Sequence, residues 1–479
     1  MLQELEPKGV FHFFEELCAI PHGSGNTKKI SDWCVDFARA RGLWYQQDAS
    51  NNVIIKKPAS PGLEGLEPVI IQGHLDMVCE KELGCAVNFL KDGLELQVDG
   101  DWVSARGTTL GGDDGIAVAM ALAVLDDDSI PHGPIEAVFT VDEEVGMLGA
   151  TALDTSCLEG KYLLNIDSEV EGVFTVSCAG GVRCDGSLKA AREPIEGLAV
   201  TVKLGGLTGG HSGVEIDKGR GNGNLIMGGA LRDLLKGETI HLVSLRGGSA
   251  DNAIPNECTA EVIVCDNMYG ALQDRVQFLE ERLREEQHKV DPNLTFTCTA
   301  GEERTDMCVT DEDTNRILAI LTSVPDGVQK MSGDMAGLVQ TSLNLGIMEL
   351  NGDEFKCCFS LRSSVDSEKK SLARRLEDIF EEQGGTVEFH GDYPGWAYRP
   401  ASKLRDTAVD VYCAQYGSLP EVTAIHAGLE CGIFVGKMPG MDCISFGPDL
   451  EEIHTVRERM SISSVQRVWK FLLGVLAEL

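Results

Sequence analysis

The sequence predicts an α/β protein with a mixed, mostly parallel sheet, interrupted by an inserted α+β domain. Three observations carry this. Apolar runs at Val69–Ile71, Ile135–Val141 and Tyr162–Ile166 read as strands, and each is followed by imidazole or acidic residues. A continuous apolar stretch, Ile116 to Leu125, reads as a buried helix between them. Near-continuous apolar strands belong to a parallel sheet covered on both faces. Composition then shifts near Ala179-Gly180-Gly181 to alternating strands and long charged helices, and returns to the first style near Pro394. The expected domains are therefore 1–180 with 395–479, and an inserted domain at 181–394.

The first domain opens with two helices, Gly9 to Ala19 and Lys28 to Arg41, separated by the turn-rich loop Pro21-His22-Gly23-Ser24-Gly25-Asn26. His22 reads as an ordinary loop residue. Asn52 to Lys56 is a short strand. The stretch Val69 to Val78 follows, with His74 and Asp76 two apart after a glycine. Residues i and i+2 of an extended segment point the same way. A neutral imidazole ligates first-row metals, and a carboxylate on its other nitrogen fixes the tautomer. Asp101 to Ser104 is an edge strand leading into Gly107-Thr108-Thr109-Leu110-Gly111-Gly112-Asp113-Asp114-Gly115 at the entry of the apolar helix. A helix start favours an anion, and one of the two Asp could simply be its N-cap. Strand 135–141 ends in Asp142-Glu143-Glu144, and strand 162–166 in Asp167.

In the inserted domain, strand Leu198–Leu204 precedes Gly209-Gly210-His211-Ser212-Gly213. Helix Asn224–Leu235, the turn Asp251-Asn252-Ala253-Ile254-Pro255, strand Cys258–Cys265, helix Tyr269–Gln287 and strand Leu294–Thr299 complete a β-α-β-β-α-β order. A second run, helix 314–322, strands 343–350 and 355–361, helix 367–382 and strand 386–390, repeats that order without its first strand. The insertion therefore reads as two duplicated βαββαβ-like lobes. The chain then returns with helix Leu404–Tyr416, strand Glu421–Ile425, His426-Ala427-Gly428-Leu429-Glu430-Cys431-Gly432, strand Asp442–Phe446, a loop bearing His454, and a terminal helix from Ile462.

With 479 residues the chain has room for two or three domains. A formal net charge of −35 disfavours a phosphate-backbone or anionic-lipid partner, so neither nucleic acid nor membrane is expected. Sixteen cysteines without a CxxC pair read as reduced core thiols. The acidic segment Met1–Pro7 has no signal-peptide core, and the longest apolar run is too short to span a bilayer. A cytoplasmic protein is expected.

Collected, the chemistry-bearing residues at the strand ends are His74, Asp76, Asp113, Glu143, Glu144, Asp167 and His454. Open α/β sheets bind ligands at the carboxyl ends of their strands. Two His and several carboxylates, without Cys, suit two divalent ions better than a structural zinc. Glu143 and Glu144 are adjacent, so one can bind metal while the other acts as general base.

With GHLDMV, TLGGDDG, TVDEEVG, NIDSE, GGHSG, NAIP, YPGW and HAGLECG in this order, the chain resembles the cocatalytic-zinc metallopeptidase family of aminoacylases, carnosinases and glutamate carboxypeptidases over nearly its full length. The resemblance implies a zinc-peptidase-like catalytic domain with an inserted lid. It implies hydrolysis of dipeptides with broad specificity, Xaa-His included, and two divalent ions, zinc first, with cobalt or manganese as alternatives. Asp113 would bridge the ions, His74 and Asp167 would complete one, and Glu144 and His454 the other. Asp76 would orient His74, and Glu143 would be the general base. His211 would stabilise the oxyanion, Asn252 and Arg362 would bind substrate, and Gly428 and Glu430 would line its carboxylate end. A homodimer is expected, with a monomer as the alternative. One departure stands out: the family's Ser-Pro after the last His is replaced by Thr455-Val456, and Arg457 and Arg459 add two charges to that loop.

Overall fold

The structure, a computed structural model, describes residues 2–235, 240–265 and 267–479. The chain divides into two compact units. One holds the chain up to Cys178 with Trp396–Ala424 and Leu429–Leu479; the other holds Ala179–Gly395 with Ile425–Gly428.

Among the described residues the first unit has an eight-stranded sheet. Its order is Trp44–Gln47, Val53–Lys57, Ile135–Thr140, Val69–His74, Tyr162–Asn165, Asp442–Ser445, Val173–Cys178 and Glu421–Ile425. Val69–His74 lies at the centre, parallel to Ile135–Thr140 on one side and Tyr162–Asn165 on the other. Asp442–Ser445 continues the parallel set, while Trp44–Gln47 and Val53–Lys57 join antiparallel. In a parallel set all carboxyl ends share one edge, and here His74 pairs in register with Thr140. The residues that follow these strands therefore emerge together.

The helix Gly112–Asp126 packs on this sheet, with Ile116 to Leu125 all 5% exposed or less. A helix apolar all round is stable only when covered on every side. Gly73 lets it come close: a Cβ there would sit 2.6 Å from the Ala117 methyl and 2.7 Å from Asp114 Oδ2. A small four-stranded sheet orders Leu450–Glu451, Arg459–Ser461, Trp102–Ala105 and Leu96–Asp99. It joins the hairpin that carries His454 to the strand that leads into the Asp113 loop.

The second unit holds a nine-stranded sheet. Along it run Thr295–Val309, Arg192–Gly205, Cys258–Val264, Ile240–Gly247, Val339–Asn351, Glu354–Ser363, Gly180–Lys189 and Thr386–Tyr393, with Gly327–Met331 paired to Val339–Asn351. The first four strands, with helices Gly223–Leu234 and Tyr269–Gln287, form one lobe. The last four, with helices Asp311–Ser323 and Asp366–Glu382, form the other. The second lobe does have a first strand: Gly180–Lys189 holds the position that Arg192–Gly205 holds in the first lobe. The whole first lobe is spliced in after it, so sequence order hides it. The equivalent strands Ile240–Gly247 and Val339–Asn351 pair antiparallel, Leu245 with Leu350 and Gly247 with Met348, and make one sheet of the two lobes.

Two strands run well past their expected ends. Arg192–Gly205 and Thr295–Val309 stay paired over their whole length, although Thr295–Val309 is mostly exposed and polar beyond Thr299. Ladder hydrogen bonds hold these residues in a strand that side-chain alternation does not mark. None of the sixteen cysteines forms a disulfide. No described helix is long and apolar enough to cross a membrane.

Candidate metal centre

His74 ends the central strand, 1% exposed. Its Nδ1–H donates to the Asp76 backbone carbonyl at 2.9 Å, which leaves the Nε2 lone pair facing the cluster. Nε2 lies 3.1 Å from Asp113 Oδ1 and 3.8 Å from Asp167 Oδ1. The other oxygen of Asp113, Oδ2, lies 3.1 Å from His454 Nε2, which is also 3.0 Å from Glu144 Oε1. The Asp113 carboxylate thus stands between two imidazoles, one oxygen to each.

Two donor sets converge tightly enough to hold an ion: His74, Asp113 and Glu144, and His74, Asp114 and Asp167, with donor atoms within 4.8 Å of one another. Donors about 2.0–2.1 Å from a tetrahedral zinc stand about 3.3 Å apart. The N···O separations of 3.0 to 3.8 Å bracket that value. The charges fit as well. Burial, then Asp114, pushes the Asp167 carboxyl up, and burial, with Glu144, Asp113 and Asp76, pushes Glu143 up to about 7. Burial also raises Asp113, but the contacts with His454 and His74 outweigh it and hold that carboxyl below the usual range. Contact with Asp113 and Glu144 lifts His454 to about 10. The pocket holds more negative charge than two imidazoles balance, which is an environment for cations.

Asp76 does more than face His74. Its Oδ1 is 3.6 Å from His74 Nδ1 and accepts the Glu143 N–H at 3.1 Å. Its Oδ2 accepts the Ser24 hydroxyl at 2.8 Å and the Glu144 N–H at 3.4 Å. The Asp76 backbone carbonyl thus holds the imidazole, while its carboxylate holds the Glu143-Glu144 turn. Asp142 and His454 both adopt left-handed backbone, φ 54° and 59°. Such conformations cost of order 1–3 kcal/mol in non-glycine residues and gather where a side chain must be aimed. Asp114, the alternative N-cap, is 1% exposed and accepts the His74 N–H at 3.2 Å.

Glu458 was not anticipated. It is 3% exposed and fills the position at the helix entry where an anion was expected. Its two oxygens accept the N–H groups of Leu110 (2.7 Å), Gly111 (3.2 Å), Gly112 (2.8 Å) and Asp113 (3.5 Å). Gly111 has φ 67°, and a Cβ there would meet Met77 Sδ at 2.9 Å, so the loop needs this glycine. His22, read as a loop residue, is buried beside the same loop at 4% exposure, with Nδ1 held by the Ile20 carbonyl at 2.6 Å.

Glu430 is a correction. It was expected to line a substrate carboxylate, but it is fully buried at the start of helix Glu430–Lys437. Its Oε2 accepts the Gln72 amide at 2.5 Å and the Thr140 hydroxyl at 2.7 Å. Burial, then Glu143, pushes its carboxyl up to about 8, and its other oxygen, Oε1, is buried without a hydrogen-bond partner. The two added arginines are also accounted for locally. Arg457 pairs with Glu452 at 2.9 Å, while Arg459 pairs with Glu451 and lies 4.3 Å from the centre of the Trp102 ring.

In the second unit, His211 lies on a two-residue ladder, and Asn252 directly precedes the partner strand Ala253–Ile254. His211 pairs with Ala253, and the Ser212 N–H donates to the Asn252 carbonyl at 2.8 Å. Arg362 sits opposite Ser342, whose hydroxyl meets His426 Nε2 at 2.7 Å. Arg362 Nε is buried without a hydrogen-bond partner, so part of the guanidinium has no acceptor in the chain. Gly428 lies in the same Ile425–Gly428 segment as His426.

Comparison with known proteins gives the family. The chain is 35% identical over 481 residues to the cytosol non-specific dipeptidase of Escherichia coli K12, covering 100% of this chain and 99% of the relative. Among solved structures it is similar to an aminoacylhistidine dipeptidase from Vibrio alginolyticus, with TM-score 0.94, 36% identity and coverage of 100% and 98%. It shares its fold with an aminopeptidase from Bacillus cereus, with TM-score 0.57, 16% identity and 99% of both chains covered. A model of peptidase family M20/M25/M40 matches residues 70–478, which takes in every residue of the cluster from His74 to His454. By this match and by the full-length relative, the chain belongs to peptidase family M20/M25/M40.

Proposed function

We propose that this chain hydrolyses dipeptides with broad specificity, Xaa-His substrates included, using two divalent ions held in its first unit. The observation that carries the reading is the Asp113 carboxylate, with one oxygen 3.1 Å from His74 Nε2 and the other 3.1 Å from His454 Nε2. Asp113 would be shared between the ions, His74 and Asp167 would hold one, and Glu144 and His454 the other. The donor set of imidazoles and carboxylates suits zinc first, then cobalt or manganese. Two such ions would supply Lewis acidity and make water a competent nucleophile near neutral pH.

The chain's own residues do the rest. Glu143 takes the proton from the attacking water and returns it to the leaving amine. Asp76 holds the Glu143 amide and the His74 ring, so base and ligand keep their spacing. His211 stabilises the oxyanion, and Asn252 and Arg362 bind the substrate, Arg362 through its fork to the free carboxylate. Gly428 is assigned to the same end. The first unit is thus the catalytic domain, and the second the lid. We assign a cytoplasmic location, which the name of the Escherichia coli relative supports, and a homodimer, with a monomer as the alternative that sedimentation would reveal.

The test is metal analysis plus a substrate panel on purified protein. Cleavage of free dipeptides, abolished by chelation and restored by zinc, cobalt or manganese, is expected. Turnover of N-acyl amino acids in preference to dipeptides would replace dipeptides with acylated substrates in this reading.

A further inference from the structure

His211 sits in a loop clamped at both ends by one carboxylate. Asp291, 1% exposed, accepts the Thr208 N–H at 2.7 Å and the Gly221 N–H at 2.8 Å. Inside the clamp, Glu215 accepts the His211 N–H at 2.9 Å and pairs with Arg220 at 3.0 Å. Arg220 in turn donates to the Gly209 carbonyl. The backbone then folds back on the imidazole. Gly213 N–H and Val214 N–H both point at His211 Nδ1, at 3.1 and 3.2 Å. A backbone N–H can only donate, so Nδ1 must offer its lone pair. A proton on Nδ1 would face two N–H groups and break both bonds. The ring's one proton is therefore on Nε2.

We propose that His211 works as a neutral imidazole that donates a hydrogen bond through Nε2–H, its tautomer fixed by the two backbone N–H groups on Nδ1. The inference rests on the dipeptidase reading only for the identity of the acceptor, the oxyanion. The charged groups around the ring support it. Burial, then the Arg362 cation, lowers the pKa of His211, and only Glu215 opposes them. Arg220 is engaged with Glu215, and the His426 segment presents a carbonyl to Gly213 and no charge to the ring. A neutral donor stabilises developing negative charge without surrendering its proton. Proton traffic is then left to Glu143.

Two measurements test this. Protein labelled with 15N at histidine and loaded with metal is examined by NMR, with the His211 signals assigned by their loss in His211→Gln. A protonated Nε2 and a bare Nδ1 are expected, unchanged through the range around pH 6.5 where an ordinary histidine titrates. A proton on Nδ1, or titration to imidazolium in that range, overturns the proposal. The spectrum needs no substrate, so it stands even if the chain proves not to cleave dipeptides. The second arm is kinetic. His211→Ala should lose about 10²–10³-fold in kcat with a smaller change in KM, as for removal of one oxyanion donor. His211→Gln, whose amide N–H reaches the position of Nε2, should recover at least about tenfold of that loss, while His211→Asn should not. If Gln is no better than Ala, the hydrogen-bond-donor role is refuted.

Discussion

Replacing Glu458 with Gln isolates how the Asp113 loop is held. The wild-type carboxylate accepts four amide N–H groups, but they are not equal. The 3.5 Å contact with Asp113 contributes little, and the strong bonds are those to Leu110 at 2.7 Å and Gly112 at 2.8 Å. Gln keeps one oxygen, which can stay on Leu110 and Gly111, and places an NH2 against the Gly112 N–H. One charge-assisted bond is lost and a buried donor is left unpaired, so the local loss is about 1.5–3 kcal/mol. Asp113 begins one residue later, so that loss falls on a proposed metal ligand. At about 1.4 kcal/mol per tenfold it corresponds to roughly 10–100-fold weaker metal binding, the usual effect of removing a group that orients a ligand. The assay is calorimetric titration of metal-stripped protein with zinc or manganese, beside kcat at saturating metal. Glu458→Asp, too short to reach both ends of the loop, should fall between wild type and Gln. Two ions bound at wild-type affinity by Glu458→Gln would refute the argument.

Three further outcomes are expected. Asp113→Ala should cost more bound metal than His454→Ala, because the carboxylate serves both ions and offsets their repulsion while the imidazole serves one. Metal content after dialysis decides it, and two retained ions in Asp113→Ala would move the shared ligand to Asp114. Arg362→Ala should raise KM for free dipeptides far more than for dipeptide amides, because the bidentate partner of the carboxylate is gone; equal effects would make Arg362 structural. His426 is held near 4 by burial and then by Arg362, below its ordinary 6.5. Its folded value is the lower one, so its stabilisation is complete above pH 6.5 and is lost as pH falls towards 4, by about 2–4 kcal/mol. Melting temperatures of His426→Gln should therefore fall less steeply than wild type over that window, and parallel curves would contradict this.

The candidate site was more legible than its supports. His74, Asp113, Glu143, Glu144 and Asp167 follow apolar strands or open an apolar helix. A parallel sheet sends all such ends to one edge, so strand pattern alone brings them together. His454 was collected from the loop after the last strand, and only its role as a ligand needed the family resemblance. Glu458 was missed because its partners, the amides of residues 110–113, lie some 345 residues away and backbone donors leave no trace in sequence. The burial of Glu430 was hidden for a related reason: an acid in a glycine-rich loop reads as exposed until Gln72 and Thr140 are seen to hold its Oε2. The second lobe looked incomplete because its first strand, Gly180–Lys189, precedes the entire first lobe, and order along a chain does not show splicing. Arg457 and Arg459 read as free charge, but each has an acid within eight residues that takes it up.

The central claim is that Glu143 moves a proton at a centre whose ions other residues hold. Glu143→Gln tests it most directly, because the amide keeps the shape and the Asp76 contact to the backbone while removing the base. The measurement is metal per chain together with kcat on a free dipeptide. Two ions retained, with kcat reduced by about 10²-fold or more, is the predicted result. Near-normal turnover with metal bound, or loss of an ion on this substitution, would contradict the division of labour between Glu143 and Glu144.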